Sequence, residues 1–337
     1  MTKNVLLMWG GMGSEHEVSG RSAAFIERSL LALPDMNVLL IELVQEGQYR
    51  DSDGRACQLL KNTVNEIIFH KNAAPSWRVD FVIPCFHGFP GESGDIQSLL
   101  DLLNIPYLGC GAEASTLCFN KVTTKLWLNA LGIPNVPYVM MGSLAEQEVD
   151  RAYNALEEWG CVFIKAASQG SSVGCYQVSD KSTLAQCLEE AFTYSSYVLV
   201  EQTVKARELE VAVYEYQGEI VATLPGEIHS PEDSFYTYDE KYNDSSHSIT
   251  DVVAKAIMPE QLGAIKRYAI EAFIGLKLRH LSRIDFFLLD SGELFVNEIN
   301  TFPGMTPISM FPKMMSHHGH RFPDFMASII RGAVLPK

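Results

Sequence analysis

His280-Leu-Ser-Arg-Ile-Asp-Phe-Phe-Leu-Leu-Asp-Ser-Gly-Glu-Leu-Phe-Val-Asn-Glu-Ile-Asn-Thr-Phe-Pro-Gly-Met305 has the pattern of two strands joined at Asp290-Ser291-Gly292-Glu293. Phe, Leu and Val supply the β preference. A two-residue loop at Ser291-Gly292 predicts that Arg283 faces Asn300, Asp285 faces Glu298 and Phe287 faces Val296. The period of two then puts Arg283, Asp285, Glu298 and Asn300 on one side of the hairpin. Opposed side chains in such a pair have Cβ atoms about 4.5–5.5 Å apart. Two carboxylates that close repel, so one takes a proton or a cation sits between them. A hard divalent ion suits carboxylate and amide oxygens, and magnesium binds in this way when it also holds nucleotide phosphates. The plainer alternative is a surface hairpin whose carboxylates are neutralised by Arg283.

The remainder of the chain bears on that choice. Its 337 residues suffice for two or three domains. With 47% hydrophobic and 20% charged residues the composition is that of a soluble globular protein. A net charge of -15 argues against a nucleic-acid partner, because no broad basic surface neutralises phosphates. A small anionic ligand held by a few lysines and arginines is compatible with it. Met1-Thr-Lys-Asn-Val-Leu-Leu-Met-Trp-Gly-Gly11 has too short an apolar run for a signal peptide or membrane span. No later segment reaches the length of a span, so no membrane role is expected. The seven cysteines are odd in number and lack CxxC spacing, which suits reduced thiols in the cytosol.

Val5–Trp9 is expected as a buried strand running into Gly10-Gly11-Met12-Gly13-Ser14-Glu15-His16-Glu17. Ser14 and Glu17 have capping-box spacing, which predicts a helix with Phe25, Ile26, Leu30 and Leu33 on its apolar face. The turn resembles a dinucleotide fingerprint whose third glycine is replaced by His16. Val79–Cys85 is a second strand, followed by Phe86-His87-Gly88-Phe89-Pro90-Gly91-Glu92-Ser93-Gly94-Asp95, with Asp95 as a helix cap. Two loops at strand carboxyl ends, one with Glu15 and one with His87, have the character of two walls of one crevice. Helical pattern extends from Ala112 to Leu131. A strand over Cys161–Ala166 leads to Ser168-Gln-Gly-Ser-Ser-Val-Gly174 and a strand over Cys175–Val178. This loop lacks the Walker ending, but its glycines and hydroxyls can lie over phosphates. Further expectations are a helix over Lys181–Tyr194, strands over Tyr197–Glu201, Leu209–Tyr216 and Ile220–Leu224, and a polar link over Glu201–Glu208. The irregular segment His229–Thr250 carries Phe235, Tyr236, Tyr238, Lys241 and Tyr242, a composition suited to a lid. A helix over Pro259–Gly275 precedes the hairpin, and two helices follow it.

Together these segments resemble the D-alanine–D-alanine ligase family of ATP-grasp enzymes, over nearly the whole chain. The carriers are Gly10-Gly11-x-x-Ser14-Glu15-His16-Glu17-Val18-Ser19, His87-Gly88-x-x-Gly91-Glu92-x-Gly94-x-Ile96-Gln97, and Lys165 with Gly170-Ser171-Ser172-Val173-Gly174. Glu201, Glu208, Tyr238-x-x-Lys241-Tyr242, Arg283-x-Asp285, Asn297-Glu298-Ile-Asn300-Thr-x-Pro303-Gly304-Met305-Thr306 and Ser309 complete the series. The resemblance implies a mixed α/β three-domain ATP-grasp fold with a Rossmann-like N-terminal domain. The domains would span 1–111, 112–203 and 204–337, the last with the lid at 229–250. It implies ligation of two D-alanines with ATP through an acyl phosphate, for peptidoglycan precursors, in a cytoplasmic homodimer.

The family's roles carry over to matching positions. Lys121, Lys165, Ser171 and Ser172 would hold ATP phosphates, Glu201 and Val204 the adenine, and Glu208 the ribose, with Phe235, Lys241 and Phe287 completing the ATP site. Asp285, Glu298 and Asn300 would hold two magnesium (or manganese) ions. Glu15 and His87 would meet the first D-alanine, and Ser309 and Lys241 the second carboxylate. Glu15, Ser171 and Tyr242 would form a hydrogen-bonded trio, and Arg283 with the N–H of Gly304 would face the oxyanion. The sequence departs from the family's pattern at Gly20, Ser93, Ala166-Ala167-Ser168-Gln169, Thr203 and Phe302, none of which is assigned to chemistry. Rival readings are a ligase for another pair such as D-alanine with D-serine or D-lactate, a nicotinamide dehydrogenase, and a non-catalytic nucleotide binder.

Overall fold

The computed structural model describes residues 2–13, 15–44, 47–60, 66–69, 77–229 and 249–333. Among them the elements form three sheets. The first sheet contains β1 (Lys3–Gly10), β2 (Met36–Leu43), β3 (Tyr49–Asp51), β4 (Ala56–Leu60), β5 (Glu66–Phe69), β6 (Trp77–Arg78) and β7 (Phe81–Cys85), with α1 (His16–Leu31) between β1 and β2. β1 lies between β2 and β7 and is parallel to both. The segments that leave β1 and β7 therefore emerge side by side at one sheet end, the place where α/β sheets open a crevice. The antiparallel extension β3–β6 was not anticipated. Its strands are short, and the turn between β3 and β4 is closed by Asp51, whose Oδ1 accepts from the N–H groups of Asp53 and Arg55.

α2 (Asp95–Leu103) covers one face of this sheet. It is capped by Gly94 with no side-chain bond, so Asp95 stands in the first turn and not at the cap. The expected long helix from Ala112 to Leu131 is two helices, α3 (Ala112–Phe119) and α4 (Lys121–Ala130). Asn120 interrupts it with extended ψ, and its side chain accepts from the N–H groups of Val122 (3.0 Å) and Thr123 (3.4 Å). An internal N-cap of this kind outweighs the helical periodicity. It also fixes Lys121 as the first residue of α4.

The second sheet comprises β8 (Tyr138–Met141), β9 (Val162–Ala166), β10 (Cys175–Val178) and β11 (Val198–Gln202), all antiparallel. α5 (Glu146–Trp159), absent from the expectations, and α6 (Lys181–Tyr194) pack on it. The third sheet contains β12 (Ala206–Tyr216), β13 (Glu219–Ala222), β14 (Gly226–His229), β15 (Ile249–Asp251), β16 (Leu281–Leu289) and β17 (Leu294–Asn300). β12 begins at Ala206, so Arg207 and Glu208 belong to a strand and not to a polar link. α7 (Pro259–Gly275) covers this sheet, while α8 (Met310–His317) and α9 (Phe322–Gly332) close the chain.

The cores cross between sheets. Val5, Leu7, Ile26 and Leu30 of the first layer share a core with Tyr214, Met305, Phe311 and Phe325. Leu128 of α4 packs with the third sheet, whereas Val122 of the same helix packs with Ala167 and Leu199 beside the second. A fully buried side chain of this size contributes about 1.5–3 kcal/mol, so α4 is fastened to both sheets at once. No helix among the described residues is long and apolar enough to cross a membrane.

Candidate active site

A cavity of about 650 Å³ lies where the three sheets converge, lined by Glu15, His87, Lys121, Lys165, Ser171 and Arg283, among others. Its first wall is the pair of loops after β1 and β7. Glu15 stands just before α1, and Gly88 passes close against it. A Cβ on Gly88 would lie 2.5 Å from Glu15 Oε2, and its φ of +64° also favours glycine. The second wall is the loop between β9 and β10. Ser171 Oγ donates to Glu15 Oε1 at 2.7 Å, spanning 156 residues of sequence. Ser171 and Ser172 both have positive φ, 51° and 63°, a conformation that costs a non-glycine residue about 1–2 kcal/mol. The contact with Glu15 is one interaction that offsets it.

Lys121 reaches the same loop, its Nζ donating to the Gln169 carbonyl at 2.6 Å. Lys165 projects from β9, with its Nζ 2.7 Å from Glu201 Oε2 and 3.1 Å from Asn297 Oδ1. Glu201 is 3% exposed, and its other oxygen is 3.0 Å from the Nζ of Lys125. Burial alone would raise the Glu201 carboxyl, but Lys165 and then Lys125 outweigh it and hold the pKa below the usual range. Lys165 is likewise penalised by burial yet kept above its ordinary value by Glu201.

The hairpin forms the floor. Arg283 faces Asn300 and Asp285 faces Glu298, as the alternation predicts. Beyond them the register shifts, so Phe286 pairs with Val296 and Phe287 with Phe295 instead of Val296. The loop is also one residue longer than expected, because Leu289 N–H bonds the Glu293 carbonyl and Gly292 takes φ +91°. A bulge at Asn297 accounts for the shift, since an extra residue re-aims a side chain. Asn297 and Glu298 consequently both line the cavity. Arg283 holds Asp285 in a fork, Nε to Oδ1 and Nη2 to Oδ2, each 2.7 Å. Asn300 Nδ2 donates to the same Asp285 Oδ2 at 3.0 Å. Glu210 Oε1 lies 3.3 Å from the Arg283 Nε. Burial works against the guanidinium's charge, but Asp285 and Glu210 more than restore it.

Among the described residues no three His, Cys, Asp or Glu side chains gather to hold a metal. Asp285 and Glu298 with the Asn300 amide form a smaller set of hard oxygens. That set fits magnesium, which binds through one or two carboxylates and completes its shell with waters and substrate phosphates.

The segment after β17 closes the remaining side. His87 is buried, and its Nδ1 lies 3.3 Å from the Phe302 carbonyl while Nε2 lies 2.8 Å from Ser22 Oγ. Burial lowers its pKa despite the nearby Glu15, so the ring is neutral. Nδ1 then carries the proton to the carbonyl and Nε2 accepts from the hydroxyl. Ser22 Oγ accepts in turn from Met305 N–H at 3.3 Å. Glu92 spans the same junction, accepting from Gly88 N–H (2.9 Å) and Phe302 N–H (3.3 Å). Burial first, and Glu15 second, push its carboxyl up to about 7. Ser309 precedes α8, and its Oγ accepts from the Thr306 N–H (3.0 Å) and bonds to the Thr306 hydroxyl (2.7 Å), with Gly304 packed against it.

Of the residues expected from sequence, the cavity thus gathers Glu15, His87, Lys121, Lys165, Ser171, Ser172, Glu208, Arg283, Asp285, Phe287, Glu298, Asn300, Gly304 and Ser309. Glu201 and Val204 do not line it, and both Glu201 oxygens are engaged by lysines. Ser14, Phe235, Tyr238, Lys241 and Tyr242, with the lid, lie outside the described residues. Lys125, Glu92, Ser22, Glu210 and Asn297 received no role from the sequence. Only Asn297 left a signal: Leu294 and Val296 share a parity that Ile299 breaks.

The chain matches the family models for the D-ala D-ala ligase N-terminus over residues 4–110 and C-terminus over residues 127–331. It is 56% identical over 329 residues to a D-alanine–D-alanine ligase of Shewanella piezotolerans, covering 98% of each chain. With a D-alanine–D-alanine ligase of Shewanella sp. (strain ANA-3) it shares 54% identity over 334 residues, 99% of each. Its fold superposes on D-alanyl-alanine synthetase A from Vibrio cholerae with a TM-score of 0.93 and 48% identity, over 98% of both chains. The VanG D-Ala:D-Ser ligase from Enterococcus faecalis gives a TM-score of 0.85 and 27% identity, over 98% of this chain and 99% of that one.

Proposed function

The chain belongs to the D-alanine–D-alanine ligase family and has its ATP-grasp fold, and from that premise we infer that it joins two D-alanines into D-alanyl-D-alanine at the expense of ATP. The observation that carries this reading to the individual residues is the convergence of Glu15, Ser171, Lys165, Arg283 and Glu298 on one cavity from all three sheets.

Glu15 receives the ammonium of the first D-alanine, and the neutral His87 lies near its carboxylate. That carboxylate attacks the γ-phosphorus, forming a C–O–P linkage as the bond to ADP breaks. Lys121, Lys165, Ser171 and Ser172 hold the phosphates, since this step needs positioning and cancellation of charge more than bond-making groups. Glu208 and Phe287 border the ribose and base, with Glu201 and the main chain of Val204 at the adenine edge. Asp285, Glu298 and Asn300 would hold magnesium or manganese, which neutralises phosphate charge when bound. The amine of the second D-alanine, its carboxylate near Ser309, then attacks the acyl carbon and phosphate departs. Arg283 and the Gly304 N–H face the oxygen that becomes negative. Lys241 and Tyr242 would shield the acyl phosphate from water. We further propose three domains marked by the three sheets, a homodimer, and a cytoplasmic place in peptidoglycan precursor synthesis.

The acceptor is tested by ADP release with D-alanine alone and with D-alanine plus D-serine or D-lactate. D-alanine alone is expected to support full turnover. Turnover that requires one of the other acceptors would replace this reading with that of another pair.

A further inference from the structure

α4 carries two lysines one turn apart, and only the first of them reaches the cavity. Lys121 lines it, whereas Lys125 is 2% exposed and lies behind Lys165 and Glu201. The spacing of four residues puts both lysines on one face of the helix. Every proton of the Lys125 ammonium has an acceptor. Glu201 Oε1 is 3.0 Å away, the Val136 carbonyl 2.9 Å and Asn135 Oδ1 3.3 Å. The Tyr138 ring centroid lies 5.0 Å from the same nitrogen. This is a built site for a cation.

A buried cation is a poor way to fill a core. Replacing buried ion pairs by apolar residues of similar volume is often neutral or stabilising. Burial lowers the Lys125 pKa, with Glu201 only partly opposing it. The arrangement therefore has a better explanation in charge than in packing. Lys165 and Glu201 alone are a neutral pair, and such a pair offers little to a polyanion. With Lys125 the trio carries one net positive charge.

Resting on the nucleotide reading above, we propose that Lys125 is a positioning residue for ATP. It occupies Glu201 Oε1, so that Glu201 holds Lys165 by Oε2 alone and Lys165 keeps its ammonium turned to the phosphates with its charge uncancelled. Asn297, placed by the hairpin bulge, accepts from the Lys165 Nζ at 3.1 Å. Without Lys125 the whole carboxylate turns to Lys165 and draws it from the cavity.

The test is calorimetric binding of ADP and of adenosine, both with magnesium, to the full chain. The proteins are wild type, Lys125→Met, Lys125→Gln, Glu201→Gln and Lys125→Met/Glu201→Gln, each checked by its melting temperature. Lys125→Met and Lys125→Gln are expected to weaken ADP about tenfold, while adenosine changes less than about twofold. In the Glu201→Gln background Lys125→Met is expected to change ADP by less than about twofold, because the group it acts through is gone. If either folded Lys125 variant binds ADP as tightly as wild type, the inference is wrong. Equal weakening of ADP and adenosine, or the same ADP loss in both backgrounds, would also overturn it, since packing alone would then suffice. If neither Lys125 variant folds, the residue is structural and the inference likewise fails. A wild-type chain that does not bind ADP would sink the nucleotide reading itself.

Discussion

Arg283 clasps Asp285 through two parallel hydrogen bonds of 2.7 Å, across two residues of one strand. A carboxylate expected to meet metal is thus already paired, and the guanidinium expected to meet the oxyanion is already held at the cavity floor. Glu210, 3.3 Å away, can retain Arg283 when Asp285 turns to another cation. Lysine at this position keeps the charge and loses the fork. We expect Arg283→Lys to lower kcat by about 10²–10³ and to leave the KM for ATP within a few-fold, because an oxyanion donor acts only in the transition state. Steady-state kinetics on the folded variant check this.

The Glu15–Ser171 hydrogen bond ties the first wall of the cavity to the phosphate loop. Removing either side should loosen the same contact. Ser171→Ala is expected to raise the KM for D-alanine, and Glu15→Gln to raise it further by loss of the charge. The two should not add in the double variant, with a coupling of about 0.5–3 kcal/mol. A double-mutant cycle on kcat/KM measures it, and full additivity would show that the two residues act independently.

Glu92 makes stability depend on pH in an unusual direction for a carboxylate. Its folded pKa is raised to about 7, so the native state binds the proton more tightly than the unfolded chain. The stabilisation is present below the ordinary glutamate pKa and is lost as pH rises to about 7. His87, whose pKa burial lowers, acts in the opposite sense, its contribution growing as pH rises through the ordinary histidine range. Comparison with Glu92→Gln isolates the first effect. We expect the wild-type stability advantage over this variant to fall by on the order of 2 kcal/mol across that window, read by urea unfolding.

Much of the site was legible because alternation along a strand is strict. Arg283 and Asp285 share a face by a period of two, as do Glu298 and Asn300, and the two pairs meet across the hairpin because the longer loop and the bulge at Asn297 offset one another. Glu15 and His87 were legible as a pair because both follow strands, and β1 and β7 prove to be parallel neighbours. Asn297 showed only as the parity of Leu294 and Val296 that Ile299 breaks. The bulge breaks the alternation that made its neighbours readable. Lys125 was hidden: a lysine in a helical pattern resembles a solvated one, and only the fold brings Glu201 against it. Asn120 did leave a mark, being a favoured N-cap residue inside an otherwise helical run. The short antiparallel strands β3–β6 carry too few residues for period to speak.

The proposed reaction is one chemical sequence: a D-alanine carboxylate is phosphorylated, and the phosphate is then displaced from the acyl carbon by a second amine. D-alanine labelled with ¹⁸O at both carboxylate oxygens follows it directly. After incubation with ATP and magnesium in unlabelled water, mass spectrometry should find D-alanyl-D-alanine with three labelled oxygens and inorganic phosphate with one. Phosphate without label, or ADP formed with no labelled dipeptide, would contradict it.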